Sequence, residues 1–137
     1  MPSIKKIHHV AVVVEEIEKS LFFWRDALGM TLSQIKNVPE QKARIAFLPT
    51  GEAEVELVQP VGKDSGLARY LEKKGPGMHH ICIQVEGIVP LLQKLKNQGI
   101  RLINEKALSG EEGKYYAFVH PESTGGVLVE LYELPEK

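Results

Sequence analysis

The segment Ile7-His8-His9-Val10-Ala11-Val12-Val13-Val14-Glu15 aligns position by position with Met78-His79-His80-Ile81-Cys82-Ile83-Gln84-Val85-Glu86. The match continues from Ile17 to Ile88, Leu21 to Leu92 and, after a one-residue slip, Gly29 to Gly99. Farther on, Ala46-Phe47 matches Ala117-Phe118, and Val55-Glu56-Leu57 matches Val129-Glu130-Leu131. The offset drifts from 71 to 74, so a few residues were inserted in the second copy. A period this long, present twice, is a duplicated half-domain rather than a solenoid unit. The chain of 137 residues therefore reads as one domain, 1–137, with repeat 1 at about 5–60, a linker at 61–77 and repeat 2 at about 78–134.

Each copy has the same local grammar. Residues 7–14 are apolar and β-branched, as a buried strand requires. A helix over about 16–28 follows, with Ile17, Leu21, Trp24 and Leu28 on one inward face and Gly29 placed for a left-handed cap. Its counterpart over 87–98 turns Ile88, Leu92 and Leu95 inward, with Pro90 in the first turn and Gly99 as the cap. Strands are expected near 31–36, 43–48 and 53–59, and again near 100–104, 114–119 and 127–133. A short helix over 66–74 occupies the linker. The fold class is α+β: two tandem β-α-β-β-β halves forming a curved mixed sheet around a metal cleft.

The repeat also pairs chemistry. His9 matches His80, and Glu56 matches Glu130, all four in otherwise apolar strands. A buried carboxylate needs a cation or a proton, and two imidazoles with two carboxylates around one divalent ion satisfy the four groups together. His9, Glu56, His80 and Glu130 are thus the candidate metal ligands. Such a nitrogen and oxygen set suits Co, Ni, Mn, Fe or Zn and leaves an octahedral ion two open positions. Strand alternation puts His8 and His79 out of phase with their neighbours, in structural or outer-shell roles. His120 reads as a loop residue.

Composition removes other classes. With 17 Lys+Arg against 18 Asp+Glu the net charge is −1, which gives no field for a nucleic acid backbone. An apolar share of 43% and a charged share of 26% exclude disorder and coiled coil. One cysteine, Cys82, excludes an internal disulfide and thiolate clusters. The apolar run Val10–Val14 is too short for a signal core or a membrane span, and the chain is expected in the cytoplasm.

Several motifs together carry a resemblance. They are His9-Val10-Ala11, Glu56-Leu57-Val58-Gln59-Pro60, Asp64-Ser65-Gly66-Leu67-Ala68 and Gly77-Met78-His79-His80-Ile81, followed by Phe118-Val119-His120-Pro121 and Gly125-Gly126-Val127-Leu128-Val129-Glu130-Leu131. The chain resembles the vicinal oxygen chelate (glyoxalase-like) superfamily over about residues 5–134 and, within it, the methylmalonyl-CoA epimerase family. That resemblance implies a homodimer, a divalent metal (often cobalt) and an acyl-CoA substrate epimerised at C2 through a metal-stabilised enolate of the thioester. The same four residues fall on its ligand positions. Glu130 is implied as a glutamate acid/base as well as a ligand.

Two departures bear on mechanism. The family pattern carries a second acid/base glutamate on the strand before Glu56, and alignment through Pro39-Glu40-Gln41 puts Ile45 there. Isoleucine exchanges no proton, which leaves that role to Glu56, the symmetry mate of Glu130, or to a water. Some members carry glutamine in place of Glu56, and two carboxylates cancel the charge of a divalent ion. The stretch Leu108–Gly113 is longer and more acidic than the loop the family implies there. Glyoxalase I resembles the same quartet, and the Asp64–Lys74 linker with the doubled His79-His80 favours the epimerase. A non-enzymatic ligand-binding protein of the same fold would lack the quartet, and an extradiol dioxygenase would need only two histidines and one carboxylate. Lys5, Lys6, Lys63, Arg69, Lys73 and Lys74 could meet coenzyme A phosphates but read equally well as solvated charges, so none is assigned.

Overall fold

A computed structural model describes residues 2–135. The elements run β1 (Ser3–Val13), α1 (Ile17–Leu21), β2 (Gln34–Val38), β3 (Ala43–Thr50), β4 (Ala53–Pro60) and α2 (Gly66–Lys74), then β5 (Gly77–Glu86), α3 (Ile88–Asn97), β6 (Leu108–Ser109), β7 (Tyr115–Val119) and β8 (Val129–Glu133). The class is α+β, as the sequence led one to expect. Two compact units emerge, and their limits cross strands instead of following the linker. One holds Val10–His79; the other joins the residues up to His9 with those from His80 onward. No helix among the described residues is long and apolar enough to cross a membrane.

In the Val10–His79 unit the strand order is β2-β3-β4-β1. β2 pairs antiparallel with β3 and β3 antiparallel with β4. Val14, Ile17, Leu21, Ala46, Leu48 and Leu57 form one buried cluster against which Trp24 and Met30 pack. A second cluster gathers Ala11, Ala43, Ile45 and Val58. α2 begins at an expected boundary, because the Ser65 hydroxyl accepts from the Ala68 amide at 3.0 Å and satisfies an otherwise orphaned donor.

The first helix departs from the expected geometry. α1 ends at Leu21 and the chain widens into a π-helical turn over Phe22–Ala27. There the Leu28 amide reaches back five residues to the Phe23 carbonyl at 2.8 Å. The wider turn shifts the phase of everything after it. Ile17 and Leu21 are buried and Trp24 stays packed, whereas Leu28, expected inward, is 57% exposed. Gly29 closes the segment at φ +94°, a conformation a side chain would strain. β2 then starts at Gln34, three residues later than expected, because residues 30–33 complete the exit: Met30 N–H donates to the Trp24 carbonyl at 3.0 Å.

In the other unit β5, β8, β7 and β6 lie in that order. β5 runs parallel to β8, while β8–β7 and β7–β6 are antiparallel, so the pairing is mixed. Val85, Ile88, Leu92, Ala117, Val119 and Leu131 form its core, with Leu95 packed alongside, matching the inward face expected of α3. The strand expected at 100–104 is reduced to a bridge between Leu102 and Val119. Ile103 N–H still donates to the Phe118 carbonyl at 2.9 Å, but the Asn104 side-chain oxygen accepts from the Phe118 amide at 2.9 Å. A side chain has taken the place of a ladder carbonyl, and the strand stops. The short β6 forms instead within the stretch expected as a loop.

A pair of caps reproduces the duplication. The Gln59 side-chain oxygen accepts from the Ile17 amide at 2.8 Å. At the equivalent place in the second repeat, the two Glu133 oxygens accept from the amides of Gly87 (2.8 Å) and Ile88 (3.1 Å). Each helix is therefore started by the final strand of its own repeat. Sequence reasoning missed this, although both residues lie three positions after the matched glutamates.

Candidate metal centre

The three strands that meet in one unit each deliver one donor. β1 supplies His9, buried because it continues the inward series of Ala11 and Val13. β5 supplies His80, and β8 supplies Glu130, buried opposite Cys82 in the parallel register. His80 Nε2 lies 3.0 Å from Glu130 Oε1, His9 Nε2 lies 3.5 Å from the same oxygen, and the two Nε2 atoms are 3.3 Å apart. Three of the four residues expected as ligands are thus brought together. Glu56, the fourth, belongs to the other unit, where it stands on β4 opposite Phe47 with 8% of its surface exposed.

The triangle fits a cation. Donors at about 2.1 Å from one ion stand roughly 3.0 Å apart in octahedral and 3.4 Å apart in tetrahedral arrangement. The observed separations of 3.0, 3.3 and 3.5 Å span that range. With both Nε2 atoms and the carboxylate oxygen converging, a positive centre among the three offsets the crowding of their lone pairs together with the buried negative charge. Burial pushes the Glu130 carboxyl up, but hydrogen bonds from His80 and His9, together with their charges, outweigh it and hold the group down at about 2. The carboxylate is therefore ionised at neutral pH, as a ligand or a base must be. Nitrogen and carboxylate donors suit first-row divalent metals.

His8 departs from simple alternation. Its ring packs at 4.8 Å on that of Tyr132, which shares a strand face with Glu130, and its Nδ1 lies 2.8 Å from His9 Nδ1. Donor atoms of His8, His9 and Cys82 also fall within 4.8 Å of one another. Burial, then the nearby charges of His9 and Lys6, lowers the His8 ring from 6.5 to about 4. The signal available in sequence was the doubled histidine, but doubling alone misleads. His79, at the equivalent position, turns its ring edge-on to Tyr70 at 4.8 Å.

The remaining candidates take the places expected of them. His120 Nδ1 accepts from the Glu122 amide at 3.0 Å and shapes the turn after β7. Ile45 is buried in an apolar cluster with Ala43 and Val58. Of the basic residues, Lys5 is paired with Glu86 at 3.0 Å and Arg69 with Asp64 at 3.8 Å.

Comparison with known proteins gives consistent matches. The family model of the Glyoxalase/Bleomycin resistance protein/Dioxygenase superfamily matches residues 8–118. The mitochondrial methylmalonyl-CoA epimerase of Mus musculus is 41% identical over 127 residues, covering 92% of this chain and 71% of that protein. The crystal structure of methylmalonyl-CoA epimerase from Mycobacterium tuberculosis superposes with a TM-score of 0.85 at 31% identity, over 97% of this chain and 90% of that one. A Streptomyces coelicolor methylmalonyl-CoA epimerase variant in complex with 2-nitronate-propionyl-CoA superposes with a TM-score of 0.84 at 25% identity, covering 96% of each chain.

Proposed function

The chain belongs to the Glyoxalase/Bleomycin resistance protein/Dioxygenase superfamily and, within it, to the methylmalonyl-CoA epimerase family, and we propose that it epimerises methylmalonyl-CoA at C2. The observation that carries this reading is the buried His9–His80–Glu130 triangle in a chain 41% identical to the mouse epimerase. His9, His80 and Glu130, joined by Glu56, would hold a divalent ion, cobalt foremost. When bound, such an ion supplies positive charge to oxygens of the substrate and so makes the proton beside the thioester more acidic.

The protein's own groups do the rest. Glu130, ionised and buried, takes the C2 proton on one face; its carboxyl then holds that proton while the chain of bonds at C2 becomes planar. A second carrier that starts protonated gives its own proton to the opposite face, which inverts the centre and leaves the two carriers with exchanged protonation states. Glu56 or a water serves as the second carrier, since Ile45 occupies the place where a second acid/base glutamate was expected.

A homodimer in the cytoplasm completes the proposal. Support for self-association comes from apolar surface on the π-helical turn and its exit, where Phe22, Phe23 and Leu28 are exposed. The decisive experiment incubates the cobalt-loaded protein with one stereoisomer of methylmalonyl-CoA in deuterated water. Deuterium at C2 together with loss of stereochemical purity is the expected result. A loaded, folded protein that leaves C2 unexchanged but isomerises the hemithioacetal of methylglyoxal and glutathione would overturn it.

A further inference from the structure

We propose that His8 is a positioning residue that orients His9 and selects the ring nitrogen with which His9 binds a metal ion, through the 2.8 Å contact between their Nδ1 atoms. The inference rests on the metal reading of the His9–His80–Glu130 triangle, and goes beyond it by assigning a role to a residue outside the donor set.

One hydrogen occupies the space between two ring nitrogens at that distance. When His9 carries it, His9 Nδ1–H donates to His8 Nδ1, and His9 Nε2 presents a lone pair toward His80 and Glu130. Which imidazole nitrogen is free to bind a metal is set by the hydrogen bond that the other one makes. His8 is itself held. Its ring rests on Tyr132 at 4.8 Å, and the Lys114 ammonium sits over the Tyr132 ring at 5.8 Å from its centre. The His8 and His9 rings meet nearly perpendicular, at 78°, which points the edge of one at the edge or face of the other instead of stacking them. In the second repeat the equivalent His79 turns its ring edge-on to Tyr70 at 4.8 Å.

The test uses the full chain and Zn²⁺ alone, with affinity read by competition against a chelator and the His9 ring read by ¹⁵N NMR. His8→Leu keeps bulk but offers no acceptor, whereas His8→Asn puts an oxygen where Nδ1 stood. Loss of a partner to a ligating histidine weakens metal binding roughly 10- to 100-fold, so H8L is expected to lose that much and H8N to stay close to the wild type. In the Zn²⁺-loaded wild type, His9 should carry its proton on Nδ1. Equal Zn²⁺ affinity in H8L and the wild type would overturn the proposal while leaving the metal site standing. So would H8N as weak as H8L, or a loaded wild-type His9 with its proton on Nε2. A wild type that takes up no Zn²⁺ would instead bring down the metal reading, and the proposal with it.

Discussion

Gln59 and Glu133 occupy equivalent positions in the two repeats, and each accepts from the backbone at the start of its own repeat's first helix. Gln59 satisfies one amide and is neutral; Glu133 satisfies two and carries charge next to the positive end of α3. Replacing Gln59 with Ala should therefore cost about 1 kcal/mol of stability, and Glu133→Ala about 1–2 kcal/mol, as helix caps generally do. Urea unfolding of both variants checks the order. Equal, negligible losses would mean the caps add nothing.

In the proposed reaction Glu130 serves as ligand and base together. Glu130→Gln removes the charge and the proton-accepting oxygen while keeping the shape, so C2 exchange should fall by about 10²- to 10⁴-fold. Deuterium incorporation followed by NMR measures this directly. Glu56→Gln separates the two roles open to its parent: unchanged or faster exchange marks Glu56 as a ligand only, and a loss comparable to that of E130Q marks it as the second proton carrier.

Acid stability follows from the same carboxylate. In the metal-free protein Glu130 is held at about 2, below the 4.5 of an ordinary glutamate, by His80 and His9 acting against burial. A lowered value means the folded form favours the charged state. Its stabilisation is complete above pH 4.5 and disappears as the pH falls toward 2. Comparing unfolding free energies of the wild type and E130Q in the presence of a chelator should show a gap that closes over that window. A gap independent of pH would contradict the ion pairing.

The π-helical turn makes its own prediction. Leu28 is 57% exposed, so Leu28→Glu should change stability by no more than about 0.5 kcal/mol. Leu21 is 2% exposed in the cluster with Ile17 and Leu57, and Leu21→Ala should cost about 2–5 kcal/mol. A straight α-helix through residue 28 would instead make L28E severely destabilising. Thermal melts of the two variants distinguish the geometries.

How much of this was legible in the sequence depended on which level of structure carried the information. Periodicity and duplication speak about strands, and they singled out His9, His80 and Glu130, whose donor atoms the fold brings within 3.5 Å of one another, because each lies on a strand whose neighbours alternate. The inward face of α3 was readable for the same reason. What escaped depends on side chains acting as backbone. Asn104 ends a strand by offering its amide oxygen to Phe118, and Gln59 and Glu133 start helices from a distant strand. Leu28 escaped because one additional residue in a turn rotates the helix, and no apolar pattern records that. His8 and His79 look alike in sequence, yet the ring of His8 packs on Tyr132 and that of His79 on Tyr70.

The division of the chain has a consequence for how the centre is made. His9 shares its compact unit with His80 and Glu130 rather than with the residues that follow it. On a ribosome, which adds about 5–20 residues per second, the leading strand emerges well before either partner. Val10–His79 can settle into its own core once His79 has emerged, while the imidazole of His9 waits for β8. Loading with the ion is thereby reserved for a chain synthesised through β8, and a truncated product ending before Glu130 would carry two of the three donors and no completed grip.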